Sequence, residues 1–145
     1  MTTVTRTFTV DPSPEVVVAY LKDFGHAEQW DPGTESCRRT DAGPIDVGAT
    51  WHNTSRIAGV TTELTYTLKK LTNDTLVFAG SNDTANTTDT ITVRPAQASS
   101  GSVITYHADI EMKGAAKLAT PAIKIVFEKL GNDTARQMTD VLNAL

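Results

Sequence analysis

A chain of 145 residues has room for one hydrophobic core, and 39% apolar with 21% charged residues is the balance of an ordinary globular domain. The net charge of −4 comes without any basic cluster, which argues against a nucleic-acid partner, and no apolar run is long enough to span a bilayer, so no membrane partner is expected either. Cys37 is the only cysteine, which excludes an intrachain disulfide and a cysteine-based metal site, and the alternating N-terminus lacks the plan of a secretory signal, which makes the cytoplasm the expected location.

Residues 3–10 alternate, with Val4, Arg6, Phe8 and Val10 on one face and threonines on the other, and predict a strand. Asp11-Pro12-Ser13-Pro14-Glu15 breaks it and starts a helix, with Ser13 placed to cap and Pro14 in the first turn. That helix carries Val16, Val17, Ala19, Tyr20 and Leu21 and stops near Asp23; a second short helical piece runs from His26 to Trp30 before the turn at Asp31-Pro32-Gly33. Strands are then predicted over 35–40, 49–57, 60–71, 76–80, 88–94 and 103–112, separated by turn signals such as Ala42-Gly43-Pro44, Ala58-Gly59 and Asn73-Asp74.

The last 25 residues read differently. Thr120-Pro121 opens a run with Ile123, Phe127, Leu130, Met138, Val141 and Leu145 spaced as one stripe of a long helix, interrupted only at Thr134. Such a stripe has to be buried, and the only large partner is the sheet. Seven antiparallel strands wrapped around one long helix make an α+β domain, with residues 1–145 forming one unit.

Alternation assigns the faces of the sheet. Val60, Thr62, Leu64, Tyr66 and Leu68 share a face, as do Ile104, Tyr106, Ala108, Ile110 and Met112. Trp51, Asn53, Ser55 and Ile57 form the expected inner set of their strand, leaving His52, Thr54 and Arg56 outside; Glu63, Lys69, His107, Asp109 and Glu111 also fall outside. The interior is therefore expected to be apolar and aromatic with a few hydroxyls and one amide, suited to a largely apolar ligand and not to a site built on paired carboxylates or a metal.

The run Phe8, Pro12-Ser13-Pro14-Glu15-Val16-Val17, Asp23-Phe24, Trp30-Asp31-Pro32-Gly33, Val47-Gly48 and the ending Tyr106 to Gly114 followed by Pro121 resemble the START-like (SRPBCC) superfamily in its bacterial polyketide cyclase/dehydrase branch. The resemblance covers nearly the whole chain, and its motifs are structural. It implies a helix-grip fold: a seven-stranded antiparallel sheet around a long C-terminal helix, two short helices between the first two strands, and a cavity between sheet and helix. It further implies binding of lipid-like or polyketide-like molecules, with cyclisation or dehydration in some members through pocket Arg, Tyr and Trp residues. Arg56 is the candidate arginine of this chain, and alternation puts it outside the pocket.

The expected ligand-binding residues are Trp30, Trp51, Asn53, Ser55, Leu64, Tyr66, Phe78, Tyr106, Ala108, Ile110, Ile123, Phe127 and Met138. Tyr66 and Tyr106 are the candidate catalytic groups, though a buried phenol more often only satisfies its own hydroxyl. His26, His52 and His107 do not converge, so no metal is expected, and no cofactor motif is present. Asp23, Glu28 and Asp31 read as a solvated rim, and Cys37 as a small apolar filler. Three functions stay open: binding of a small hydrophobic or aromatic molecule, a cyclase/dehydratase-type enzyme, or a protein-interaction module. The protein would be a monomer or a homodimer.

Overall fold

The computed structural model describes residues 1–145. Strand β1 (Thr2–Val10) leads to helix α1 (Pro14–Leu21), a 3-10 turn at Phe24–His26 and the one-turn helix α2 (Ala27–Trp30). Then come β2 (Thr34–Arg39), β3 (Thr50–Ile57), β4 (Val60–Leu71), β5 (Thr75–Ser81), β6 (Ala85–Pro95) and β7 (Ser102–Met112). A 3-10 segment, Gly114–Ala119, feeds the closing helix α3 (Thr120–Asn143). The strands form one sheet in the order β1-β7-β6-β5-β4-β3-β2, antiparallel throughout. This is the expected α+β helix-grip architecture. Because β1 and β2 are the two edges, the α1–α2 segment has to bridge the open side of the sheet.

Each hairpin is set by local chemistry. Ala58 and Gly59 join β3 to β4 with φ of 52° and 81°, the pair of positive angles that a two-residue type I′ turn requires. Ile57 and Val60 face each other across it, which fixes the register. The inner faces follow: Trp51, Asn53, Ser55, Leu64, Tyr66, Leu68, Ile104, Tyr106, Ala108 and Ile110 are all buried, while His52 and Arg56 are exposed. Val60, at the tip of this hairpin, is 61% exposed.

Helix α3 departs from the expected stripe. Its fully buried residues are Gly131, Thr134, Met138 and Leu142, whereas Val141 is half-buried and Leu145 is 57% exposed. The stripe is rotated because the helix meets β1 at close range. A Cβ on Gly131 would stand 2.4 Å from Val4 Cγ1, so only a residue without a side chain fits there. Thr134 continues this small-residue contact one turn on. The start of the helix also differs: the preceding 3-10 segment places Ala119 at the N-cap, and Thr120 is already helical. Ser13 does occupy the N-cap of α1, with extended backbone but no side-chain capping bond.

Polar ties hold α3 only from Glu128 onward. Arg6 on β1 donates through Nε to Asn132 Oδ1 (2.8 Å) and through NH2 to the Glu128 carbonyl and carboxylate (both 3.0 Å). Gln137 Nε2 donates to the Gln29 carbonyl at 2.8 Å, and Asn143 Oδ1 accepts from the Asp11 N–H at 2.8 Å. No side-chain hydrogen bond or ion pair reaches residues 114–127. That stretch leaves Leu118 88% and Ile125 75% exposed. No helix of the chain is long and apolar enough to cross a membrane.

The contact at Gly131 makes a sign-changing prediction. Gly131→Ala gains about 1 kcal/mol of helix propensity but overpacks against Val4, for a net loss of about 1–2 kcal/mol in urea unfolding. In a Val4→Ala background the same substitution should become neutral or stabilising, because the crowding methyl group is gone. A loss of equal size in both backgrounds would show that Val4 does not set the helix position.

Candidate functional site

The concave side of the sheet is divided into a filled half and an open half. Phe24 is the hub of the filled half. Its ring centroid lies 4.4 Å from Tyr66, 4.5 Å from Phe78, 5.9 Å from Trp30 and 6.1 Å from Trp51. Trp51 Nε1 donates to Asp23 Oδ1 at 3.2 Å, while Trp30 Nε1 is a buried donor without a partner. Under the middle of α3, at Phe127, Leu130, Gly131 and Thr134, the packing stops and leaves a cavity of about 80 Å³. That is several times the ~10–15 Å³ that holds one water and well below the ~300 Å³ at which pockets for drug-sized ligands begin.

Of the residues expected to bind ligand, Ser55, Leu64, Tyr66, Tyr106, Ala108, Ile110 and Phe127 line this cavity, joined by Val4, Ile57, Leu130, Gly131 and Thr134. Trp30, Trp51, Phe78 and Met138 are fully buried in the neighbouring core and do not reach it. Asn53 is buried and donates to Thr34 Oγ1 (3.0 Å) while accepting from Ser55 Oγ (2.6 Å), so its amide is used internally. Ile123 lies half-buried on α3 beyond the lining.

Three lining residues carry chemistry that alternation alone did not bring into view: Asp31, Thr87 and Asp89. Asp89 is 7% exposed and sits on the inner face of β6, in line with buried Ile91 and Val93. The signal was present in the sequence, since a carboxylate shares its face with two β-branched apolar residues there. Burial pushes its carboxyl up to about 8, with Asp31 and then Asp109 adding repulsion and the Tyr106 phenol beside it pulling partly back. Asp31 was expected on a solvated rim and is instead half-buried at the cavity wall. Burial raises its carboxyl too, against hydrogen bonds from Gly33 N–H (3.0 Å) and Thr34 Oγ1 (2.9 Å) that use both oxygens.

The two phenols are positioned by their strands. Tyr66 pairs with Gly80 across β4–β5, and Gly80 with Thr87 across β5–β6. A Cβ on Gly80 would come within 2.7 Å of the Tyr66 ring, so the missing side chain is what lets the ring lie across β5. The Tyr66 hydroxyl then accepts from Thr87 Oγ1 at 3.2 Å, which leaves its own proton available. Burial drives both Tyr66 and Tyr106 well above the usual phenol range, with the Asp89 charge as the next cause. Neither phenol ionises near neutral pH; Asp89 is the group poised there.

The remaining titratable residues lie elsewhere. The histidines occupy separate places: His26 Nδ1 lies 2.7 Å from the Tyr20 carbonyl, His52 Nε2 3.1 Å from Glu63 and His107 Nε2 3.1 Å from Asp109. No Lys, Arg or His lines the cavity. Cys37 is buried and its thiol is pushed up to about 12, mainly by burial, which makes it unreactive.

Asp89 should be visible in the pH dependence of stability. The unfolded chain releases this proton near pH 4, and the folded chain near pH 8. Between those values the folded state holds the extra proton, so wild-type stability falls as pH rises through the window and levels off above it. Asp89→Asn lacks this effect and should gain on wild type by on the order of 5 kcal/mol across the same window, read from paired urea series. A difference that does not change with pH would mean that the carboxyl is not buried and protonated.

The comparisons agree with this architecture. The structure is similar to a START superfamily protein from Mycobacterium smegmatis, with a TM-score of 0.80 at 15% identity, covering 98% of this chain and 97% of that one. It is similar to a protein from Thermus thermophilus, with a TM-score of 0.81 at 12% identity over 98% and 97% of the two chains. It is also similar to the Zhui aromatase/cyclase from a Streptomyces species, with a TM-score of 0.79 at 13% identity over 97% and 92%. At these identities the likeness is one of fold. No curated protein matches the sequence. The family described as polyketide cyclase / dehydrase and lipid transport matches residues 1–142, the seven strands and nearly all of α3, and the chain belongs to that family.

Proposed function

We propose that this protein binds a small, largely apolar ligand between the sheet and the middle of α3, with Tyr66, Tyr106 and Asp89 meeting the ligand's polar atoms. The observation that carries this reading is the buried Asp89 carboxyl beside two phenols in a cavity otherwise walled by Val4, Leu64, Ala108, Ile110 and Phe127. A folded chain gains nothing in stability from placing a carboxyl there, because desolvation disfavours its charged form. Family membership supports the same reading, since the family is described by polyketide cyclisation, dehydration and lipid transport.

A ligand larger than a few waters needs more than about 80 Å³. The space would come from residues 114–127, which carry no side-chain tie to the sheet and bury no residue fully. Segments of this kind open at low free-energy cost. The small cavity is then the resting form, and the ligand selects a form with residues 114–127 displaced.

A second reading follows from the same carboxyl. With a pKa of about 8, Asp89 has an ionised fraction that grows as pH approaches 8; in that form it can take a proton from carbon next to a ketone, its charge passing to the enolate oxygen, which the phenol hydroxyls of Tyr66 and Tyr106 would hydrogen-bond. This is cyclase- or dehydratase-type chemistry with the acid–base role on Asp89. The tyrosines, being far from ionisation, serve as donors.

Two measurements test these readings. Amides of residues 114–127 should exchange hydrogen much faster than those of 131–143, and a bound lipid, flavonoid or polyketide mimic that raises Tm should slow them selectively. No Tm rise from any member of such a panel would sink the binding proposal. For the enzymatic reading, Asp89→Asn should lower turnover of a poly-β-keto substrate by ~10²–10⁴-fold while binding persists; unchanged turnover would remove Asp89 from the mechanism.

A further inference from the structure

We propose that the cavity selects uncharged ligands bearing a carbonyl oxygen and rejects carboxylates, with Asp89 as the residue that sets this preference. The inference rests on the binding reading above and goes further by naming the ligand class. It starts from an inventory of the polar atoms on the wall.

Asp31 spends both carboxylate oxygens on Gly33 N–H and Thr34 Oγ1. Ser55 spends its proton on Asn53 Oδ1, and Thr87 spends its own on the Tyr66 hydroxyl. The Tyr106 O–H is directed at the Asp89 carboxyl. What remains for a ligand is the Tyr66 O–H and the Asp89 carboxyl, which carries its proton at neutral pH. Both are donors. A ketone, ester or quinone oxygen can accept from them without leaving a polar atom unpaired.

A carboxylate faces the opposite situation. Asp31 and Asp89 are both on the wall, and no Lys, Arg or His is. The groups facing Asp89 are Asp31 from the α2–β2 loop, Tyr66 from β4 and Tyr106 from β7, while Asp109 on the outer face of β7 adds further negative potential. α3 and β1 present Phe127, Leu130, Thr134 and Val4 to the cavity. Arg6, beside the lining residue Gly131, has its guanidinium held by Glu128, Asn132 and the Thr5 carbonyl. An anion entering here would lose its hydration, gain no countercharge and face the Asp31 carboxylate.

The test uses three soluble probes that share a ring: toluene, acetophenone and benzoate, titrated near neutral pH and followed by calorimetry and backbone NMR shifts of β4, β6 and β7. Acetophenone should bind at least ~10-fold more tightly than benzoate, and more tightly than toluene. At about pH 10, where Asp89 is ionised and becomes an acceptor, acetophenone affinity should drop by at least ~3-fold while that of toluene holds. Asp89→Asn keeps a donor without a titrating proton, so it should retain acetophenone binding at both pH values. Benzoate binding as tightly as acetophenone, or toluene matching acetophenone at both pH values, overturns the proposed selectivity while leaving a ligand cavity in place. Failure of all three probes to shift any cavity resonance would remove the binding reading itself, and the selectivity with it. Because the pH series uses the wild-type chain, the test does not depend on the variant folding.

Discussion

The distance between α3 and β1 at Gly131 governs what the interior can be. A helix residue with no side chain rests on Val4, and the Arg6 guanidinium ties the same turn to Asn132 and Glu128. From that point toward the C-terminus the helix is pressed onto β1 and α2, and the interior behind it is filled by Met138, Leu142, Phe24 and the two tryptophans. N-terminal to Glu128 no side-chain hydrogen bond or ion pair holds the helix down. Close packing is therefore satisfied on one side of the contact and left incomplete on the other, and the cavity lies where it is incomplete.

The wall of that cavity is locally unfavourable for folding. A carboxyl placed among Ile91, Val93 and Tyr106 is held protonated at neutral pH, and a buried indole N–H nearby has no partner. Sequences normally agree with their folds at every level, and the places where they do not are concentrated at functional sites. Gly80 fits the same pattern. Glycine weakens a strand interior, yet here it clears the path for the Tyr66 ring to reach Thr87. Three departures from good folding practice, Asp89, Gly80 and the untied start of α3, meet around one small space.

Much of this was legible from spacing. Alternation placed Ser55, Leu64, Tyr66, Tyr106, Ala108 and Ile110 on the inner face, and all six line the cavity. It could not separate cavity from core, because Trp51 and Phe78 satisfy the same alternation and are consumed by contacts with Phe24. Asp89 obeys the alternation as well, sharing the inner face with Ile91 and Val93, but a carboxylate carries no hydrophobic signal that marks a face as inner. Asp31 was misplaced on the rim because it stands in a turn, where no periodicity tells which way a side chain points.

The sequence by itself determined the element order, the antiparallel pairing and the inward sets of β3, β4 and β7, since period-two alternation and turn chemistry act over a few residues and need no distant partner. Only the tertiary structure decided the rotation of α3, which follows from a 2.4 Å clash that a Cβ at residue 131 would make with β1, at the opposite end of the chain. It likewise decided the protonation of Asp89. A carboxyl's pKa depends on the water it has lost and the charges around it, and those come from Asp31, Tyr106 and Asp109, which only folding brings together.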